Sequence, residues 1–465
     1  MELDATLLAR IQFGFTITWH IIFPAFTIGT SAFVATLLAR HLWTGDERYK
    51  QLARYWTKIF AVSFAMGVVS GIVLSYQFGT NWSRFSVVVG NVVGPLIGYE
   101  VLTAFFLEAT FLGVMLFGWN RVPDWLHFVS ALMVAVGTLM SAFWILSANS
   151  WMQYPTGHEM RDGIAYPVDW LKIVFNPTFP LRLAHMVVAA YLTTAVVVLA
   201  VGARHLLAGR FEEQSKTMVR MGLGLALILA PTQIIIGDFH GQATAKYQPA
   251  KLAAIEGHWP AHEVAPLVLF AWPNETTESN DFQIAIPHLG SFIILHDWNG
   301  IYPGLKAFPP QDRPPVAPPF FGFRIMVGMG VLMLTLTLWG GVLWLRGRLF
   351  ESRLWLTAAS WAWPLGFIAI VAGWYTTEIG RQPWIANGIL RTVDARSPVA
   401  FEAVLVSLIL FVVVYFLVFG VGILFINRLV NRGPDEGTAQ TPEGMPHRPL
   451  SAAEGAVRHA TRGAT

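Results

Sequence analysis

The chain carries nine apolar runs long enough to cross a bilayer, at about 11–39, 59–78, 92–117, 127–148, 183–203, 218–237, 320–344, 354–377 and 400–426. A hydrocarbon layer needs roughly 20 such residues per helix. It also forces each segment to satisfy its own backbone N–H and C=O groups. The runs therefore predict an all-α integral membrane protein with nine transmembrane helices. Composition agrees: 54% of the 465 residues are hydrophobic and 13% are charged, about half the charge of a soluble domain. That balance excludes a soluble enzyme, a fibrous protein and a disordered one. The first run does not read as a signal peptide, because it is too long and Glu2 and Asp4 stand where a basic region belongs. Without cysteine there is no disulfide, thiolate zinc site, cysteine-held iron–sulfur cluster or C-x-x-C-H haem attachment. A net charge of +3 gives no sign of a nucleic-acid partner.

Basic residues cluster in alternate links. Arg40, Arg48, Lys50, Arg54 and Lys58 follow span one, and Arg204, Arg210 and Lys216 follow span five. Arg346, Arg348 and Arg353 follow span seven, and Arg428 and Arg432 follow span nine. With nine spans these lie on one side, the cytoplasmic side by the positive-inside rule. The N-terminus is then outside and the C-terminus cytoplasmic. The expected organisation is helices one to six over 1–237, an outside loop over 238–319, helices seven to nine over 320–432, and a polar, disordered cytoplasmic tail over 433–465. A loop that long without its own secondary structure points to function. Pro231 and Pro364 are expected to kink their helices. Gly67 and Gly71 form a small-x-x-x-small pattern that favours close helix packing.

An ionisable group in hydrocarbon costs roughly 2.5–3.5 kcal/mol on insertion scales, so each one needs a reason. The interior ones are His20, Glu100, Glu108, His185, Arg324 and Glu378, with Met326 available as a soft ligand. At ~1.5 Å rise per residue, His20 lies roughly 14 Å below the outer surface, His185 within about one outer turn and Met326 about two turns in. Glu378 ends span eight on the same side. A lone membrane histidine is more often structural than ligating. Four ligand-type side chains from four helices in one half favour haem or another metal centre. A His/Met pair makes a six-coordinate iron, whereas a single His or carboxylate leaves a position open for oxygen. His185 and Met326 suit the first kind of site, His20 and Glu378 the second. Glu100 and Glu108 sit eight residues apart on one helix, which gives about 80° around the axis and roughly 12 Å along it. Ser141, in span four, falls at about the depth of Glu100. Such a ladder is the pattern of a proton relay; the alternative is a set of hydrogen-bond anchors between helices.

Five stretches carry a resemblance. They are Arg10-Ile11-Gln12-Phe13-Gly14-Phe15 leading to His20; Glu100 with Phe105-Phe106-Leu107-Glu108; and Gly237-Asp238 followed by Tyr247-Gln248-Pro249-Ala250-Lys251-Leu252-Ala253-Ala254-Ile255-Glu256. The others are Phe323-Arg324-Ile325-Met326-Val327-Gly328 and Glu378-Ile379-Gly380-Arg381-Gln382-Pro383-Trp384. In this order and spacing the chain resembles subunit I of the cytochrome bd family of quinol oxidases, from the first span to the last.

The resemblance implies that His185 and Met326 are axial ligands of a low-spin haem b. It implies that His20 and Glu378 serve two high-spin haems, a high-spin haem b and a haem d or a further haem b in its place. Glu100 and Glu108 would lie near that pair and Trp374 between the haems, while Arg324 and Arg381 would offset haem charge. Lys251 and Glu256 would bind and deprotonate quinol. Glu108, Ser141 and Glu100 would form the proton path from the cytoplasm. The implied protein is a terminal oxidase of the bacterial inner membrane. It would oxidise ubiquinol or menaquinol at the outer face and reduce oxygen to water with cytoplasmic protons, building a proton motive force without pumping. Its partners would be a subunit II and, in some members, a small single-span subunit. The 238–319 loop is short for the family and resembles the cyanide-insensitive branch, some members of which lack an obvious haem d signal.

Three rival readings explain less. A haem–copper oxidase needs a larger set of membrane histidines than His20 and His185, with His127 at an edge. A secondary transporter predicts a colourless protein, often with repeated halves, and no internal repeat is evident. A purely structural subunit leaves six ionisable residues in the spans unexplained.

Overall fold

The computed structural model describes residues 4–434; the expected tail, from 435 onward, lies outside the described residues. Each apolar run is helical, and most lie within a longer helix. Helix α1 covers Ala5–Thr44 and α2 covers Glu47–Thr80. The third span is α3, Ser83–Glu100, a π-helical turn over Val101–Phe105, and α4, Phe106–Phe117. After α5, Asp124–Gln153, come the hairpin β1 (His158–Arg161) and β2 (Ile164–Pro167) and the short α6, Trp170–Val174. Spans five and six are α7, Phe179–Leu207, and α8, Glu212–Tyr247. Local chemistry sets the ends. The Asp4 carboxylate caps α1 by accepting the Leu7 N–H at 2.7 Å. Gly45, at φ 69°, takes the left-handed turn that stops α1. Asp46 then caps α2 through the Arg48 N–H.

The segment expected as one loop over 238–319 is different in the structure. Helix α8 continues past residue 237 to Tyr247, because backbone hydrogen bonding outlasts the apolar run. Next comes α9, Pro249–Glu256, opened by a proline at its first position and closed by Gly257 at φ 64°. Strands β3 (His262–Val264) and β6 (Ile301–Pro303) pair, as do β4 (Leu267–Asn274) and β5 (Ser279–Ile286), all antiparallel. The short α10, Leu289–Leu295, lies between β5 and β6. Span seven is α11, Ala317–Leu345. Span eight is broken at Pro364 into α12, Arg353–Trp361, and α13, Leu365–Ile379, as a missing N–H and a fixed φ require. Pro231, in contrast, lies within an uninterrupted α8. The hairpin β7 (Trp384–Ala386) and β8 (Leu390–Arg391) precedes α14, Phe401–Arg432.

Hydrogen bonds between helix ends fix the alternation of the spans. At one end, Ser397 N–H donates to the Asn81 carbonyl at 2.9 Å, and Asn387 N–H to that of Met152 at 2.9 Å. Segments 154–178, 248–316 and 380–400 therefore share this loop end. At the other end Arg48 pairs with Glu213 at 3.0 Å, Lys50 with Asp124 at 2.7 Å, and Tyr55 donates to the Val430 carbonyl at 3.3 Å. The basic links thus share the opposite end. Buried clusters fill the space between, one around Leu37, Trp56 and Phe60, a second around Trp82, Phe85 and Trp151, and a third around Leu199, Leu223 and Trp355. Helix α14 fully buries only Val404, Tyr415 and Phe419, packs Leu405, Leu408 and Ile426 partly against the core, and presents much of its other apolar surface outward.

Candidate functional site

A cavity of about 960 Å³ opens among α1, α2, α3, α4, α5 and α13. His20, Glu100, Glu108, Ser141, Trp374, Glu378 and Arg381 all line it. His20 is held in a defined tautomer. Its Nδ1 lies 3.0 Å from the Ser70 Oγ, and that hydroxyl donates its proton to the carbonyls of Met66 (2.9 Å) and Gly67 (3.0 Å). The Ser70 oxygen can then only accept, so Nδ1 carries the hydrogen and Nε2 keeps a free lone pair. This is the arrangement of a metal-ligating histidine, whose second nitrogen donates to a protein acceptor. Gly71 leaves room for the ring, since a Cβ there would lie 3.1 Å from His20 Cε1.

Glu378 ends α13 with a quarter of its side chain open to the cavity. Arg381 holds its Oε2 at 2.5 Å, while Asn149 and Gln153 donate to its Oε1 at 2.9 and 3.3 Å. Arg182 is buried beside them and donates to the Asn149 Oδ1. Lys251, on α9, is buried too, and its Nζ donates to the Oε1 of Gln153 and, at 2.8 Å, to that of Gln248. Burial, with Arg182 and Arg381 nearby, pulls the Lys251 ammonium well below the ordinary lysine range. Two buried guanidinium groups and a buried lysine thus surround one carboxylate.

Glu100 accepts a 2.8 Å hydrogen bond from Ser141, in agreement with their equal depth. Glu108 is buried against Gly137, where a Cβ would come within 2.5 Å of its Cγ. The π turn between the two glutamates was not anticipated and alters their angular relation.

His185 and Met326 do not line this cavity. His185, on α7, has Nδ1 buried without a partner and Nε2 3.2 Å from the Gln233 amide of α8, with the His240 ring at 5.5 Å. Met326, on α11, packs over Gly373 of α13, where a Cβ would meet its sulfur at 2.6 Å. The next residue, Trp374, lines the cavity and has a buried, unpartnered indole N–H.

Glu256 is 4% exposed, with Oε2 unpartnered and Arg324 at 4.0 Å. Burial raises its pKa, opposed by Arg324. Tyr302 and His258, both 4% exposed, stand nearby with the tyrosine hydroxyl and the histidine Nε2 unpartnered. Arg324 itself donates to the carbonyls of Val268 (2.5 Å), Ile255 (2.8 Å) and Phe320 (3.0 Å). These bonds leave its positive charge in place and give it a structural task as well. Its donors are spent on backbone, pinning α9 and β4 to α11.

These features fit haem. Among the described residues no three His, Asp or Glu converge to hold a bare metal ion. A porphyrin supplies four of its own nitrogens and asks the protein only for axial ligands, which His20, His185, Met326 and Glu378 can provide. Haem also brings carboxylates. Arg381 Nε and Nη1 and Arg182 Nε are buried and unpartnered, and the excess of buried positive charge calls for anions. The sequence did not single out Asn149, Gln153, Arg182 or His240, and marked Gln248 only as part of the stretch leading to Lys251. Arg182 fell just before the apolar run starting at 183, and neutral polar residues at span ends carry no signal by themselves.

Comparison with known proteins bears on the chain as a whole. Residues 8–434 match the family model of cytochrome bd terminal oxidase subunit I. The cytochrome bd-II ubiquinol oxidase subunit 1 of Escherichia coli (strain K12) is 33% identical, over 94% of this chain and 99% of its own length. The cytochrome bd ubiquinol oxidase subunit 1 of Bacillus subtilis (strain 168) is 34% identical, over 92% and 94%. The solved structure of bd oxidase from Geobacillus thermodenitrificans superposes with a TM-score of 0.86 at 31% identity, covering 93% of this chain and 99% of that one.

Proposed function

Because the chain belongs to the cytochrome bd terminal oxidase subunit I family, we propose that it carries three haems and couples quinol oxidation at the outer face to oxygen reduction with cytoplasmic protons. Membership makes it part of a quinol:oxygen oxidoreductase, a multi-pass protein of the bacterial inner membrane with nine membrane helices among the described residues. It also implies haem cofactors and a subunit II partner. The observation that carries the finer reading is the single cavity onto which His20, Glu378, Glu100 and Glu108 all open.

In this reading the loop end faces outward and the basic links face the cytoplasm. His185 and Met326 hold a low-spin haem b. His20 and Glu378 hold the two high-spin haems, a haem b and a haem d or a further haem b. When bound, haem would supply one-electron transfer at the site of His185 and Met326 and oxygen activation at the site of His20 and Glu378. The chain's own residues do the rest. Ser70 fixes the His20 tautomer. Arg182 and Arg381 offset propionate charge, and Trp374 separates the His20 cavity from the Met326 side. Lys251 binds the quinol oxygen, and Glu256 takes its proton, helped by a buried position from which Arg324 keeps the ionised form accessible. Glu108, Ser141 and Glu100 pass protons from the cytoplasmic half toward the cavity. The residues 238–319 act as the outer quinol-binding region between two helical parts, 1–237 and 320–432.

Charge separation follows without a pump. Two quinols release four electrons and four protons, and one oxygen consumes as many of each to make two waters. Releasing the first protons outside and drawing the second from inside moves net charge across the membrane. A small single-span subunit would complete some assemblies, and the quinol is ubiquinol or menaquinol. The test is haem extraction and a reduced-minus-oxidised spectrum of the purified complex. Three haems per chain, with low-spin and high-spin bands, are expected, and a chlorin band distinguishes haem d. A folded but colourless complex would refute the reading.

A further inference from the structure

We propose that Gln153 is a positioning residue that ties the quinol-binding helix α9 to Glu378, so that one buried amide links the quinol site to the high-spin haem site. The inference rests on the reading of Lys251 and Glu378 given above. Gln153 is the last residue of α5 and is fully buried. Its orientation is dictated by chemistry. Charged or neutral, the Lys251 amine donates both here and to Gln248, so the amide atom that meets Nζ is Oε1. The same Oε1 accepts the Gln248 amide at 2.9 Å, and Gln248 also donates to the Gln153 backbone carbonyl at 2.9 Å. Nε2 is then left to face Glu378 Oε1, at 3.3 Å.

One turn earlier on α5, Asn149 repeats the arrangement. Its Nδ2 donates to the same Glu378 oxygen, and its Oδ1 accepts from Arg182. Two amides one helical turn apart therefore grip Glu378, but only Gln153 also reaches α9. A shift of Lys251 as quinol binds must move the acceptor it shares with Gln248, and the other end of that amide moves with it. Among the described residues, no other side chain hydrogen-bonds to both Lys251 and Glu378.

An amide is needed because the position must accept on one side and donate on the other. Gln153→Glu keeps the acceptor for Lys251 but loses the donor and sets a carboxylate against Glu378. Gln153→Leu loses both. The experiment uses the whole oxidase complex and reads the quinol KM, the high-spin and low-spin bands, and the response of the oxidised enzyme to oxidised short-chain ubiquinone. Gln153→Leu should raise the quinol KM roughly tenfold, the effect of one lost buried hydrogen bond. It should also shift the high-spin bands with the low-spin band unchanged. Gln153→Glu should keep the KM within about twofold while still shifting the high-spin bands. Added ubiquinone should perturb the high-spin bands of the wild type and leave those of Gln153→Leu still.

Unchanged KM and high-spin bands in Gln153→Leu would overturn the coupling. So would parallel loss of the low-spin and high-spin bands in both variants, which would make the amide a support of the fold alone. The underlying reading fails separately, if Lys251→Ala leaves the KM unchanged or Glu378→Ala leaves the high-spin bands intact.

Discussion

Ser70→Ala should loosen the haem held by His20 and leave the low-spin haem untouched. In the wild type the Ser70 oxygen accepts the His20 Nδ1 hydrogen at 3.0 Å, and both groups lie inside the helix bundle. Alanine removes that acceptor and leaves the ring N–H only the nearby Gly67 carbonyl, a loss of up to about 1–3 kcal/mol. Loss of a hydrogen-bond partner behind a metal-bound histidine lowers metal affinity about 10–100-fold. At about 1.4 kcal/mol per factor of ten the two figures describe the same effect. Helix α2 itself should not suffer, because alanine is the better helix former. The assay is transfer of haem from the complex to an excess of an apo-globin acceptor, followed at the high-spin and low-spin bands. One high-spin band should decay about 10–100 times faster than in the wild type. Equal decay of that band in both proteins, or acceleration of every band together, would refute the tautomer argument for His20.

Other outcomes follow from the same geometry. His185→Ala or Met326→Leu should abolish the low-spin haem signal while the high-spin bands remain, read in the reduced spectrum. Glu108→Gln should slow oxygen reduction about 10²-fold or more with quinol binding intact, measured as turnover at excess quinol. Gly137→Ala should slow it in the same direction, because the added methyl would sit 2.5 Å from the Glu108 Cγ. Glu256 accepts a proton only when ionised, and burial raises its pKa. Quinol oxidation should therefore fall with falling pH along a limb above the ordinary carboxylate range, and Glu256→Gln should remove that limb from the pH–rate profile.

The spans were legible because hydrocarbon tolerates few polar residues, so nine long interruptions of charge can only be nine crossings. Their true lengths were not legible. The polar stretch from Asp238 to Tyr247 continues α8, since a helix needs no apolar face once it leaves the hydrocarbon. His20, His185 and Glu378 were legible for the same reason as the spans: each is costly where it stands, whereas Met326 costs nothing there and was legible only from its motif beside Arg324. Gln153 and Asn149 were not, because a neutral amide at the end of a span costs little and is common there. Their task is visible only when α9 and α13 are brought against the end of α5. Arg324 was legible by its charge, but its bonds to carbonyls of α9, β4 and α11 were not.

The most consequential feature hidden from the sequence is the π turn at Val101–Phe105. Eight residues of regular α-helix rotate Glu108 by about 80° from Glu100. In the π turn the Phe106 N–H bonds back to the Val101 carbonyl, five residues away, which accommodates one extra residue. Eight residues then count as seven, and the rotation becomes roughly −20°. Both glutamates now face the same stripe of α5. Gly137 receives Glu108 and Ser141 receives Glu100, while Trp144 donates to Thr103 inside the turn at 2.8 Å. Those three α5 positions are spaced i, i+4, i+7, one face of a helix. The wide turn spends regular hydrogen bonding to bring two carboxylates into line along a single neighbouring helix. A relay needs that alignment, and two independent structural anchors would not.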